Sequence, residues 1–128
     1  MDAVSAQKRV LIVEDEAPIA RALALKLHHS GFQTVIAGDG EQALDILARD
    51  TFGLIVLDLV MPKQDGFTVL ERLRERENKT PILIWSNLGQ RQDIARARTL
   101  GASDYLVKSQ TPLVDVVARI KQLIEGGT

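Results

Sequence analysis

The chain has 128 residues, 45% of them hydrophobic and 26% charged, which suits one domain with a real core. A formal net charge of −1 excludes a general electrostatic pull toward nucleic acid or an anionic membrane, and the absence of cysteine excludes disulfides and thiolate metal sites. No apolar run approaches the roughly 18 residues of a spanning helix, and the opening MDAVSAQKR has no apolar signal core, so a cytoplasmic protein without a membrane partner is expected.

In chain order, short β-branched runs alternate with amphipathic ones. RVLIV, Arg9 to Val13, reads as the first strand. The first helix is expected from Glu16 to Ser30, with Ile19, Leu23 and Leu27 on one face, Pro18 tolerated in the first turn and Gly31 as the C-terminal cap. QTVIA is the second strand, and Asp39 is placed to cap a second helix whose Ala43, Leu44 and Leu47 share a face. LIVLD is the third strand, and its unbroken apolar run requires cover on both sides. A third helix follows from about Phe67 to Glu77, with Phe67, Leu70 and Leu73 inward. PILIWS is the fourth strand, Gln90 to Leu100 the fourth helix stopped by Gly101, and DYLV the fifth strand. Thr111 and Pro112 open the last helix, where Leu113, Val116, Val117, Ile120 and Ile124 form one stripe.

Five β–α units predict an α/β fold, a parallel sheet with helices on both faces and right-handed crossovers. The spacing leaves strand order open. With the order 2-1-3-4-5, ligands belong at the carboxyl ends of the strands, between strands one and three. One domain over residues 1–128 is expected, its core at about 8–126, with short tails and no effector domain.

The carboxyl ends carry the chemistry. Glu14 and Asp15 follow strand one, Asp58 closes strand three, Ser86 closes strand four and Lys108 follows strand five. The fold gathers them on one rim, so Asp58 need not be buried although it ends a hydrophobic strand. Three carboxylates together repel and raise one another's pKa values. A hard divalent cation relieves this, and Mg²⁺ suits a few carboxylates plus water and phosphate oxygens. Lys108 is placed to hold an anion beside Asp58, and Ser86 offers it a hydroxyl. Nucleophilic carboxylate, Mg²⁺, ammonium and hydroxyl are what phosphoryl transfer to an aspartate needs.

LIVEDE, LIVLDLVMPKQDG, ILIWS and GASDYLVK together resemble the receiver domain of two-component response regulators, over about residues 8 to 126. The resemblance implies a flavodoxin-like sheet in the order 2-1-3-4-5. It implies that Asp58 accepts a phosphoryl group from a histidine kinase or a histidine phosphotransfer protein. Asp15 and Asp58 would be metal ligands, Glu14 would act through water, and the Val60 carbonyl would complete the shell. Ser86 and Tyr105 match the family's switch pair, which biases two arrangements of the helix four, strand five, helix five face. That face would then bind an unidentified downstream protein, or the phosphoryl group would be passed along a relay. It is also the expected surface for a monomer to form a weak dimer. Helix four has little apolar content, Ile94, Ala95, Ala97 and Leu100 among Arg91, Arg96 and Arg98, so it is expected to shift on activation.

The sequence departs from the family in three places. Ser109 follows Lys108 where relatives have proline after a cis bond. A non-proline cis bond costs about 2.5–4 kcal/mol. Either that strain is kept to aim Lys108, or the bond is trans and the loop rebuilt; trans is the expectation here. Val60 is apolar where relatives are often polar, so self-dephosphorylation is expected to be slow. Asn87 replaces a small residue and would narrow access for small phosphodonors.

Plainer roles compete. Glu14 and Asp15 also suit the N-terminus of a helix. Tyr105 could be half-buried packing, Trp85 reads as core filler, and the arginines of helix four are a solvated face or a docking surface. His28 and His29 suit a helix C-terminus. Asp93, Asp115 and Glu125 among the basic residues argue against direct nucleic-acid binding. Val60 stands where a turnover phosphatase needs a second acid, which counts against turnover. A flavin module is excluded by EDEAPIA, which repels phosphate. Two alternatives stay open: a phosphorylation-independent scaffold, and the receiver fragment of a longer DNA-binding regulator.

Overall fold

A computed structural model describes residues 6–126. The outermost residues of both tails lie outside the described range. The strands are β1 (Arg9–Val13), β2 (Gln33–Ala37), β3 (Leu54–Leu57), β4 (Ile82–Ser86) and β5 (Asp104–Val107). They alternate with α1 (Ala17–His29), α2 (Gly40–Leu47), α3 (Gly66–Glu75), α4 (Arg91–Thr99) and α5 (Leu113–Glu125). The sheet is parallel throughout, in the order β2-β1-β3-β4-β5, as expected.

Side chains alternate across each strand, so the sheet has two cores. Val10, Ile12, Leu54, Val56, Leu83 and Trp85 pack against Leu23 and Leu27 of α1 and Val116 and Ile120 of α5. Leu11, Val13, Ile55, Leu57, Ile82 and Ile84 face α2, α3 and α4. All of β3 is buried, because both layers cover it. The two layers leave the carboxyl edge of β1, β3 and β4 open to the loops, and that edge carries the acidic residues.

Local chemistry sets the helix ends. Asp39 Oδ1 accepts from the Gln42 amide at 2.8 Å, and Asp65 Oδ1 accepts from the Thr68 amide at 2.9 Å, capping α2 and α3. Gly31 ends α1 with φ +93°: its amide donates to His28 and that of Phe32 to Leu27. The third helix stops at Glu75, earlier than its apolar pattern suggests, because Glu77 takes the same left-handed conformation (φ 56°) with a non-glycine residue. Gly66 is required at the start of α3, since a Cβ there would stand 2.6 Å from Leu59 Cα in the loop that follows Asp58.

Candidate functional site

β1 delivers Glu14 and Asp15, β3 delivers Asp58 and β5 delivers Lys108 to one edge. Parallel pairing of β1 with β3, Val13 opposite Leu57, brings the following residues level. One oxygen from each of Glu14, Asp15 and Asp58 lies within 4.8 Å of the others, a spacing that could hold one metal ion. Glu14 is 1% and Asp58 5% exposed, whereas Asp15 is exposed.

Lys108 Nζ donates to Asp58 Oδ2 at 3.0 Å and to Glu14 Oε1. The second oxygen of each acid is also occupied: Glu14 Oε2 accepts from the Glu16 amide at 3.0 Å, and Asp58 Oδ1 from the Val60 amide at 3.1 Å. Burial pushes the Glu14 carboxyl above its ordinary range, against the lowering by Lys108 and the Glu16 amide. Burial alone would lower Lys108, but its bonds to Glu14 and Asp58 outweigh that and leave it raised, so it stays an ammonium. A cleft of about 350 Å³ opens over this cluster, walled by Asp15, Asp58, Val60, Asn87, Leu88 and Lys108.

Oxygen donors of this number, partly exposed on one side, suit Mg²⁺ with water and a phosphate filling its shell. Glu14 and Asp58 are drawn onto Lys108, leaving Asp15 as the accessible carboxylate.

Ser86 is fully buried, and its hydroxyl takes the Leu88 amide at 3.4 Å; its neighbours Asn87 and Leu88, not Ser86, wall the cleft. Tyr105 is inward, 9% exposed, and its hydroxyl donates to the Leu88 carbonyl. The two therefore meet through one peptide segment. Burial, with Asp93 and Asp58 nearby, pushes the Tyr105 phenol up to about 12. No cis bond occurs among the described residues, so Lys108–Ser109 is trans and the loop is rebuilt as a short 3-10 turn. Trp85 is core, as expected, beneath Lys108 with its ring centre 5.2 Å from Nζ.

On α4 only Ala97 is fully buried. Arg96 is not simply solvated: its guanidinium lies 4.1 Å from the Phe67 ring centre. Sequence reasoning missed the Glu14–Lys108 pair, the Leu88 bridge and a bond from the Ser109 amide to Asn87 Oδ1. Only an asparagine beside the strand end hinted at the last.

The family model for the response regulator receiver domain matches residues 10–121. The chain is 41% identical over 118 residues to the "Probable transcriptional regulator ycf27" of Cyanophora paradoxa, covering 92% of this chain and 48% of that protein. It is 37% identical over 117 residues to the "Alkaline phosphatase synthesis transcriptional regulatory protein PhoP" of Bacillus subtilis, covering 91% and 48%. The chain thus spans about half the length of these curated relatives. The Francisella response regulator 1452 receiver domain superposes with a TM-score of 0.89 at 29% identity, covering 94% of this chain and 99% of that one. The Vibrio cholerae chemotaxis protein CheY4 gives 0.82 at 26% identity, covering 89% and 96%. With its sheet order, its rim of acids and this match over most of its length, the chain belongs to the response regulator receiver domain family.

Proposed function

We propose that this chain is a phosphoryl-accepting switch, with Asp58 as the acceptor. The observation that carries this reading is the pair of bonds from Lys108 to Asp58 and Glu14 beside Asp15, at a spacing that suits one cation. The donor is a histidine kinase or a histidine phosphotransfer protein. An oxygen of Asp58 attacks phosphorus, the bond from phosphorus to the donor imidazole breaks, and the imidazole leaves with the electron pair and takes a proton. Asp58 then carries an acyl phosphate. Asp15, Asp58 and the Val60 carbonyl would hold magnesium, with Glu14 acting through water, and the bound cation would supply neutralisation of charge on the phosphoryl oxygens. Lys108 already neutralises Asp58 and is placed to turn toward the incoming oxygens. The chain catalyses only its own phosphorylation and dephosphorylation.

The product adds about −1.5 to −2 charge and three acceptor oxygens. Ser86 leaves the Leu88 amide to donate to one of them, and Leu88 transmits the change to Tyr105. The α4, β5 and α5 face then binds a downstream protein or a second copy, and α4, thinly buried, moves. Unchanged hydrogen exchange in α4 between free and phosphorylated protein would count against that movement. The receiver family supports work in the cytoplasm; no helix among the described residues is long and apolar enough to cross a membrane.

The deciding experiment is intact mass after incubation with Mg²⁺ and acetyl phosphate, repeated with a phosphorylated histidine kinase. Wild type should gain one phosphoryl group and Asp58→Asn none. No gain from either donor would leave the phosphorylation-independent scaffold. A second reading is favoured by the relatives, which are named transcriptional regulators and are about twice as long. In it, the same switch works joined to a DNA-binding unit and does not itself touch nucleic acid.

A further inference from the structure

Lys108 must reach two carboxylates with a flexible side chain. Its Nζ is placed well only if its backbone is held. Strand pairing ends just before it, with Val107 opposite Ser86. Beyond it lies a three-residue 3-10 turn whose Ser109 and Gln110 are exposed. The turn has little of its own to hold it: the Thr111 amide reaches the Lys108 carbonyl only at 3.4 Å, and Thr111 Oγ1 donates to Val107. Among the described residues, one hydrogen bond ties positions 109–110 to another part of the fold. The Ser109 amide donates to Asn87 Oδ1 at 2.9 Å. Asn87 directly follows Ser86, so this bond joins the loop of the lysine to the loop of the buried hydroxyl.

Asn87 and Lys108 also stand together as a wall. Both line the acidic cleft, and both line a second, mostly apolar cavity of about 440 Å³ between Ile19, Trp85 and Leu113. Without the bond, only the two contacts of Thr111 are left in the turn to oppose a shift of Lys108 toward that cavity, away from Asp58.

We propose that Asn87 is a positioning residue for the acceptor centre: by accepting the Ser109 amide proton it fixes the turn that carries Lys108 and couples it to the strand end that carries Ser86. This rests on the phosphoryl-acceptor reading of Asp58. Serine rather than proline at position 109 makes the arrangement possible, because it presents an N–H where an imino acid would have none. A displacement of residues 86–88 then pulls the turn of Lys108 with it, so ammonium and hydroxyl respond to the same event.

The test compares wild type, Asn87→Ala, Asn87→Asp, Ser109→Pro and the Asn87→Ala/Ser109→Pro double variant. Three quantities are read: hydrogen exchange of the Ser109 amide by NMR, emission of the single Trp85 in metal-free protein, and the rate of phosphoryl gain from a phosphorylated histidine kinase with Mg²⁺, a donor for which the access that Asn87 leaves to small molecules does not enter. Asn87→Ala should speed exchange at Ser109 and slow phosphoryl gain, each by about three- to tenfold, the range expected for one lost hydrogen bond. It should also shift Trp85 emission, as Lys108 leaves the ring face. Asn87→Asp, which keeps the acceptor oxygen, should restore slow exchange. In the Ser109→Pro background, Asn87→Ala should add nothing, because the bond is already absent. Wild-type exchange, emission and phosphoryl gain in Asn87→Ala would overturn the proposal, and so would full additivity in the double variant. If wild type itself gains no phosphoryl group while its Ser109 amide is protected, the acceptor reading has failed, and the positioning role falls with it.

Discussion

Tyr105 donates its hydroxyl to the carbonyl of Leu88, and the amide of the same Leu88 faces the Ser86 hydroxyl at 3.4 Å. The serine and the tyrosine therefore communicate through the segment that opens α4. A change at Ser86 frees one end of that residue and loads the other.

Tyr105 is the only tyrosine, so its ionisation can be followed directly by phenolate absorbance. Its native pKa, about 12, lies above the ordinary 10.0, chiefly through burial. A group raised in the folded state favours folding while it stays protonated. Its contribution is whole below pH 10.0 and is lost as pH rises through about 12. The native protein should hold its phenol protonated at pH 10.0, where the urea-unfolded chain is half ionised. Tyr105→Phe should lose about 1 kcal/mol through the missing hydrogen bond and show a shallower alkaline decline. A native midpoint at 10.0, with circular dichroism unchanged, would contradict the buried geometry.

Lys108 separates two buried acids. Its side chain is 9% exposed, against 0% for Glu14 and 7% for Asp58. Lys108→Met should destabilise the metal-free protein by about 3 kcal/mol, since it leaves like charges buried without a counter-ion. Urea unfolding measures this. Mg²⁺ should stabilise the variant more than wild type, because the cation takes over the missing neutralisation. Equal stabilisation of both proteins would place the cation away from these acids.

Val60 is 56% exposed on the cleft wall and has no side-chain group to orient an attacking water. The phosphorylated protein should therefore lose its phosphoryl group slowly in Mg²⁺, and Val60→Asn should shorten its lifetime. A half-life of seconds for the wild-type phosphoprotein, followed by intact mass, would refute this.

Arg74 of α3 donates to the carbonyls of Leu100 at 3.2 Å, Gly101 at 2.6 Å and Asn78. It pins the C-terminus of α4 while the other end hangs on Leu88. Arg74→Ala should cost about 2 kcal/mol in urea unfolding, the scale of bonds to a charged donor. Arg74→Lys should not restore it, because an ammonium lacks the planar fork that reaches three carbonyls. Loss of less than half that amount would mean that water replaces the guanidinium.

The sequence by itself determined the alternation of elements, the Asp39 cap and the acidic and basic residues at the strand ends. These are local: periodicity, turn chemistry and the residue that follows each strand. The receiver resemblance added the strand order and the expectation that Asp15 and Asp58 are metal ligands, while periodicity left the order open. Only the tertiary structure decided that Lys108 meets Glu14, 94 positions away, as well as Asp58, 50 away. It also decided that Ser86 and Tyr105 share Leu88, that Asn87 holds the Ser109 amide, and that α3 ends before Glu77. Such contacts depend on which strands are neighbours and on how far a loop extends past its strand, and neither is written in the spacing of residues along one segment.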